Sequence, residues 1–130
     1  QSEKEFKMFA AYGQSKLANI LFTKKLSSLY QEQGLTTNCL HPGFVSTSIG
    51  AQNENLAFFA RLIRWVSPLI AKPSDKGAET SIYLCSSEEV SSISGEYFID
   101  CKKAKITKGA KSKEDAERLW KTSLELTGFN

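Results

Sequence analysis

Two residues four apart carry the clearest chemistry in this sequence. Tyr12 and Lys16, in the run Tyr12-Gly13-Gln14-Ser15-Lys16, share one face if the segment is a helix, so phenol and ammonium can point into one cleft. A free phenol ionises at about pH 10 and is a poor acid–base group near neutrality. A cation beside it favours the phenolate, which makes the tyrosine a usable proton donor or acceptor. The ammonium can also hold a sugar hydroxyl. The same spacing fits an exposed pair on a surface helix, and the pattern alone does not separate the two. A second chemical feature is His41-Pro42-Gly43, which turns the chain sharply and lets backbone approach a flat ligand closely.

These residues need elements to position them. The stretch from about Glu3 to Glu32 reads as one long helix. Phe9, Tyr12, Lys16, Ile20 and Leu21 recur at three- and four-residue steps, and Phe22, Leu26, Leu29 and Tyr30 continue the stripe. Gly34 is the expected stop. Thr36 to Leu40 reads as a buried parallel strand running into the His41-Pro42-Gly43 loop. A polar loop over 44–54 precedes an apolar helix from Asn55 to about Val66, with Leu56, Phe59 and Ile63 on one face. Pro68 and Pro73 bracket a break. A further helix is expected from Ser74 or Asp75 to Ser86, with Ala78, Ile82 and Cys85 inward. Ser94-Gly95 is a turn and Tyr97-Phe98-Ile99 a second short strand. A lysine-rich loop (Lys102, Lys103, Lys105, Lys108, Lys111) leads to a last helix, capped by Ser112 with Asp115 three residues on and ended by Gly128. Ala116, Leu119, Trp120 and Ser123 set its inner face. The order is α/β with two strands and about four helices, and no domain boundary falls within 1–130.

Composition narrows the class. Of 130 residues, 41% are hydrophobic and 24% charged, which belongs to a packed protein and excludes a disordered or collagen-like chain. The net charge is +3, from 17 basic and 14 acidic residues. A nucleic-acid partner calls for a stronger, patterned excess, so none is expected. No apolar run approaches the roughly 20 residues of a membrane-spanning helix. Cys39, Cys85 and Cys101 lie far apart and form neither a disulfide framework nor a metal pair. They read as free, buried thiols in a reducing, intracellular setting. Cys39 and His41 lack two further ligands for zinc, so His41 reads as a structural histidine at a strand end. Asn19 reads as structural too.

Taken together, the ordered motifs resemble the short-chain dehydrogenase/reductase family, in its retinol-dehydrogenase-like branch. Ala11-Tyr12-Gly13-Gln14-Ser15-Lys16-Leu17-Ala18-Asn19-Ile20-Leu21-Phe22 is similar to that branch's active-site helix. Leu40-His41-Pro42-Gly43-Phe44-Val45-Ser46-Thr47 is similar to its following strand and cofactor loop. Tyr97-Phe98-Ile99-Asp100-Cys101, Leu119-Trp120 and Leu126-Thr127-Gly128 resemble its C-terminal strand and helix. The resemblance implies the C-terminal part of a Rossmann-type doubly wound parallel sheet. It implies Tyr12 as catalytic acid/base, with Lys16 tuning it and binding the nicotinamide ribose. Pro42, Gly43, Val45 and Thr47 would line the nicotinamide of NADP, or of NAD. The implied reaction interconverts an apolar alcohol and its carbonyl compound, of retinoid, steroid or lipid-aldehyde type.

Two parts that the family uses have no counterpart here. A dinucleotide site of this kind needs a glycine-rich strand-to-helix turn, yet none of the eight glycines has another two residues away. The family's catalytic serine lies upstream of the tyrosine, and Ser2 does not sit in a matching motif. The expectation is therefore a C-terminal portion of a longer enzyme, inactive alone. Helix 55–66 reads equally as a cover for an apolar substrate or as a helix packed on its own core. The lysine loop can meet phosphate or acidic lipid, so peripheral membrane association of the parent is one expectation, and a solvated loop is the other. A rival of a different class is a non-enzymatic module, using helix 3–32 to dimerise or bind a partner. Cofactor binding separates it from an enzyme.

Overall fold

The computed structural model describes residues 8–43 and 73–129. The expected helix 55–66, the start of the first helix, Val45 and Thr47 lie outside the described residues. The first helix, α1, spans Met8–Tyr30 and tightens into a 3-10 turn at Gln31–Gln33. Gly34 ends it as expected, in the left-handed region at φ 84, donating its N–H to the Gln31 carbonyl. Glycine takes this conformation without the steric cost a Cβ brings.

Strand β1 is Cys39–His41 and β2 is Tyr97–Ile99. They pair in parallel, with Cys39 opposite Tyr97, Leu40 opposite Phe98 and His41 opposite Ile99. β1 starts three residues later than Thr36 and reaches His41. The cause is Asn38, whose side chain donates to the Ile93 carbonyl at 2.7 Å and accepts the Glu96 amide at 3.0 Å. That side chain stands in for ladder bonds, so the regular strand begins only after it.

The sheet carries a third strand that the sequence reading placed in the lysine-rich loop. β3, Lys102–Lys103, pairs antiparallel with β2, giving a mixed sheet in the order β1-β2-β3. Asp100 and Cys101 form the two-residue connection, both at positive φ (52 and 59). Two consecutive left-handed residues are the geometry of a tight hairpin whose twist matches its strands. Neither residue is glycine, and the conformation costs a non-glycine roughly 1–2 kcal/mol. Thr80 offsets part of that cost, its hydroxyl accepting the Cys101 amide at 3.2 Å.

Helix α2, Ser74–Ser86, turns a different face inward from the one expected. Gly77 and Thr80 are buried, whereas Ile82 is 61% exposed and Cys85 is exposed. The hairpin sets this rotation: Thr80 must reach the Cys101 amide, and the Tyr83 ring lies 6.4 Å from the Phe98 ring. Helix α3, Lys113–Thr127, is capped by the Ser112 hydroxyl accepting the Asp115 amide at 3.1 Å, and Gly128 follows at φ 72. Its inner face is as expected, with Ala116 buried and Trp120 stacked on Phe22 of α1 at 5.4 Å. Lys25 and Glu117 bridge the two helices at 2.6 Å. Among the described residues the buried apolar ones are few: Leu21, Val90, Phe98, Ala110 and Ala116. The result is a partial Rossmann-like α/β unit, with three α-helices among the described residues.

Candidate active site

Tyr12 and Lys16 sit near the N-terminal end of α1, and two contacts fix how α1 lies on β1. Ser27 Oγ donates to Ser94 Oγ at 2.8 Å, and the same oxygen accepts the Thr37 amide at 3.0 Å. Thr23, one turn earlier on the helix, stands beside the Cys39 thiol, close enough to act on its ionisation. Stepping back four residues on the helix, about 6 Å, therefore matches stepping forward two on the strand side, also about 6–7 Å. Helix and strand run antiparallel. Tyr12 lies a further 11 residues back from Thr23, about 16 Å along the axis. Pro42 and Gly43 lie three and four residues on from Cys39, about 10–13 Å along the strand direction. All four residues thus reach the same end of the sheet, beyond the carboxyl end of β1. In open α/β sheets that end is where ligands bind.

At that end the Lys16 ammonium lies 5.1 Å from the centroid of the Tyr12 ring. Tyr12 is 62% exposed, so its hydroxyl is open to an incoming group. Ser15 donates its hydroxyl to the Tyr12 carbonyl at 2.7 Å, a bond that keeps the serine on its own helix. Gly43 adopts φ 82 and presents bare backbone at the turn. Its N–H donates to His41 Nδ1 at 2.8 Å. Val45 and Thr47 lie beyond the described residues.

Several contacts that hold this frame went unread in the sequence. Lys24 donates from Nζ to the Gly95 carbonyl at 3.1 Å. With Ser27 and Ser94 it ties α1 to the turn before β2, and Asn38 ties the start of β1 to the same turn. Polar residues within an apolar-looking helix and a Ser-Gly turn give no local sign of such pairing, because the partners lie far apart in sequence. Asn19 contributes its carbonyl, which accepts the Thr23 hydroxyl at 2.9 Å, while its residue surface is exposed. Of the three thiols, all free, Cys39 and Cys101 are half-buried and Cys85 is exposed, contrary to the expected burial. Burial pushes the Cys39 thiol up, against the opposing pull of the neighbouring Thr23 and the Lys24 charge. Among the described residues no three His, Cys, Asp or Glu side chains gather as metal ligands, and no helix is long and apolar enough to cross a membrane.

The family model for short chain dehydrogenase matches residues 1–56. Retinol dehydrogenase 12 of Mus musculus is 40% identical over 129 residues, 99% of this chain and 40% of that protein. Human retinol dehydrogenase 14 is 39% identical over 128 residues, covering 98% of this chain and 38% of the relative. Retinol dehydrogenase 13 of Mus musculus is 39% identical over 128 residues, 97% of this chain and 38% of the relative. The chain thus spans about two-fifths of the length of the curated relatives it matches.

Proposed function

This chain belongs to the short-chain dehydrogenase family and is retinol-dehydrogenase-like, and on that premise we propose that it supplies the proton-transfer helix and the nicotinamide-side loop of an oxidoreductase. The substrate is an apolar alcohol or its carbonyl compound, of retinoid, steroid or lipid-aldehyde type. The cofactor is NADP(H), with NAD(H) as the alternative. The observation that carries the reading is the Lys16 ammonium over the Tyr12 ring, at the same end of the sheet as the Pro42-Gly43 turn.

Each residue then has a definite task. The Tyr12 hydroxyl gives its proton to the carbonyl oxygen in reduction and takes it back in oxidation. Lys16 stabilises the oxyanion left on Tyr12 and holds a ribose hydroxyl. The residues present suit a flat ring: Gly43, at φ 82, has no Cβ to hold a ligand off the backbone. Pro42, Gly43, Val45 and Thr47 would line the nicotinamide, with the Thr47 hydroxyl and the Val45 backbone as the groups able to bond its carboxamide. When bound, the nicotinamide supplies or takes the hydride.

The 130 residues act as the C-terminal portion of the catalytic domain, since they contain no Gly-x-Gly cradle for a pyrophosphate. Alone they are silent. An intracellular site, with or without peripheral membrane attachment, accompanies this reading. A second reading, a partner-binding or dimerising module built on α1, draws on Phe22 and Leu29, which are 42% and 37% exposed. NADPH fluorescence titration with light scattering separates the two. The enzyme reading expects no useful affinity in the isolated chain and binding in a full-length polypeptide that carries it. A sharp monomer of the 130 residues with micromolar NADPH affinity rejects the fragment reading. No binding by the full-length form rejects the enzyme reading.

A further inference from the structure

We propose that the stretch from Lys102 to Lys113 is a docking face for a membrane surface carrying anionic lipid, an inference that uses none of the catalytic assignments. Charge is concentrated there. Six of the chain's 17 basic residues and none of its 14 acidic ones fall in these positions, so the rest of the chain is net acidic. Lys102, Lys103, Lys105, Lys108, Lys111 and Lys113 are all exposed. Lys103 pairs with Glu96 at 2.5 Å, and among the described residues the other five form no ion pair. Asp115, just past the run, is engaged by Arg118 at 2.7 Å.

The backbone holds these charges in place. The Ala104 amide donates to the Tyr97 carbonyl at 2.8 Å, which keeps the chain on the sheet edge just past β3. Exposure alternates there: Lys103 and Lys105 are exposed, Ala104 and Ile106 half-buried, the pattern of an extended edge segment. Further on, Ala110 is buried and seats the 3-10 turn Gly109–Lys111 against α1. Residues three apart eclipse in such a turn, which places Lys108 and Lys111 on one side. Like charges held together repel, and an anionic surface relieves that repulsion. Lysine on a strand edge also discourages edge-to-edge pairing. That accounts for Lys102 and Lys103, but the other four lie beyond the strand.

Composition selects the occupant. Between Lys102 and Lys113 there is no Arg, no Met and no aromatic residue. Protein interfaces are enriched in those residues and depleted of Lys. Nucleic-acid surfaces favour Arg for phosphate and stack bases on aromatic rings. Compact ammonium charges with neither companion suit the diffuse negative potential of a lipid surface, where each lysine contributes without a shaped site.

The test is co-sedimentation of the full-length enzyme with vesicles of phosphatidylcholine, with and without phosphatidylserine, at low and high salt. Binding should be stronger on the anionic vesicles and should fall as salt screens the exposed charges. One lysine near such a surface corresponds to about a 5-fold change in affinity. Lys111→Gln should therefore weaken binding about 5-fold, and the triple variant Lys105→Gln, Lys108→Gln, Lys111→Gln about 100-fold, with Tm unchanged. Lys121→Gln removes an exposed lysine of α3 outside the run and alters net charge by the same amount as Lys111→Gln. It should cost less than about 2-fold, and this pair of single variants decides the matter even if the triple variant loses stability. Equal binding to both kinds of vesicle would overturn the proposal, as would equal losses in Lys111→Gln and Lys121→Gln. Tighter binding to a DNA duplex than to anionic vesicles at matched phosphate would assign the face to nucleic acid and overturn it as well.

Discussion

The Lys16 ammonium lies over the face of the Tyr12 ring, 5.1 Å from its centroid. Positive charge there meets the negative π-face of the phenol, and the lysine stays within one helical turn of the oxygen that would carry the proton. The pair is formed by α1 alone, without help from other elements.

Replacing that lysine tests its double duty. Lys16→Met in the full-length enzyme keeps the stem and deletes the charge. A charge-assisted hydrogen bond is worth about 1.5–3 kcal/mol, so NADPH affinity should fall about 10- to 100-fold, with kcat falling as well. Fluorescence titration and steady-state kinetics measure both. Unchanged affinity with unchanged kcat would remove Lys16 from the site.

The turn that ties α1 to β2 gives a stability prediction independent of function. Gly95 sits at φ 75, and a Cβ there would lie 3.0 Å from Ser27 Oγ and 3.2 Å from its Cβ. Gly34 has φ 84 with nothing within 4 Å. Alanine at either position meets the left-handed penalty of about 1–2 kcal/mol, but only Gly95→Ala also disturbs the Ser27–Ser94 bond, a further loss of about 1 kcal/mol. Urea unfolding of the two variants should therefore rank Gly95→Ala as the more damaging. Equal losses would show that the Ser27 contact carries no weight.

The thiols should differ in reactivity. Burial raises Cys39 above the ordinary thiol value of 9.0, whereas Cys85 is exposed, and it is the thiolate that reacts. Iodoacetamide with peptide mapping should label Cys85 several-fold faster than Cys39. The sign for stability follows from the same shift. A thiol that ionises less readily folded than unfolded contributes stability below its unfolded pKa and loses it as pH rises through the higher folded value. Unfolding free energy should thus decline in the alkaline range above about pH 9, and less so in Cys39→Ala. Equal labelling rates would contradict the burial.

How much of this was legible beforehand follows from where the determinants lie. α1 with its Gly34 stop, β2, the Ser112–Asp115 cap and the Gly128 end are written in local patterns, and they were readable. So were Tyr12 and Lys16, whose spacing is a property of one helix. The start of β1 was not, because Asn38 chooses partners at Ile93 and Glu96, far along the chain. β3 was hidden because its hairpin uses Asp100-Cys101 where glycine or asparagine is the usual signal. The inward face of α2 was misjudged by apolar character: Ile82 and Cys85 were expected inside. The buried Thr80 is polar and is justified only by a hydrogen bond to the hairpin. The His41–Gly43 bond needed the strand end and the glycine φ together.

The central claim is that Tyr12 moves the proton. Tyr12→Phe in the full-length enzyme removes one oxygen and preserves ring, helix and the seat for the Lys16 ammonium. Turnover with a retinoid or long-chain aldehyde, measured beside NADPH Kd, is the direct test. The expected result is a loss of about 10²- to 10⁴-fold in kcat with NADPH affinity nearly unchanged. A variant that keeps a tenth or more of the original rate would contradict the account.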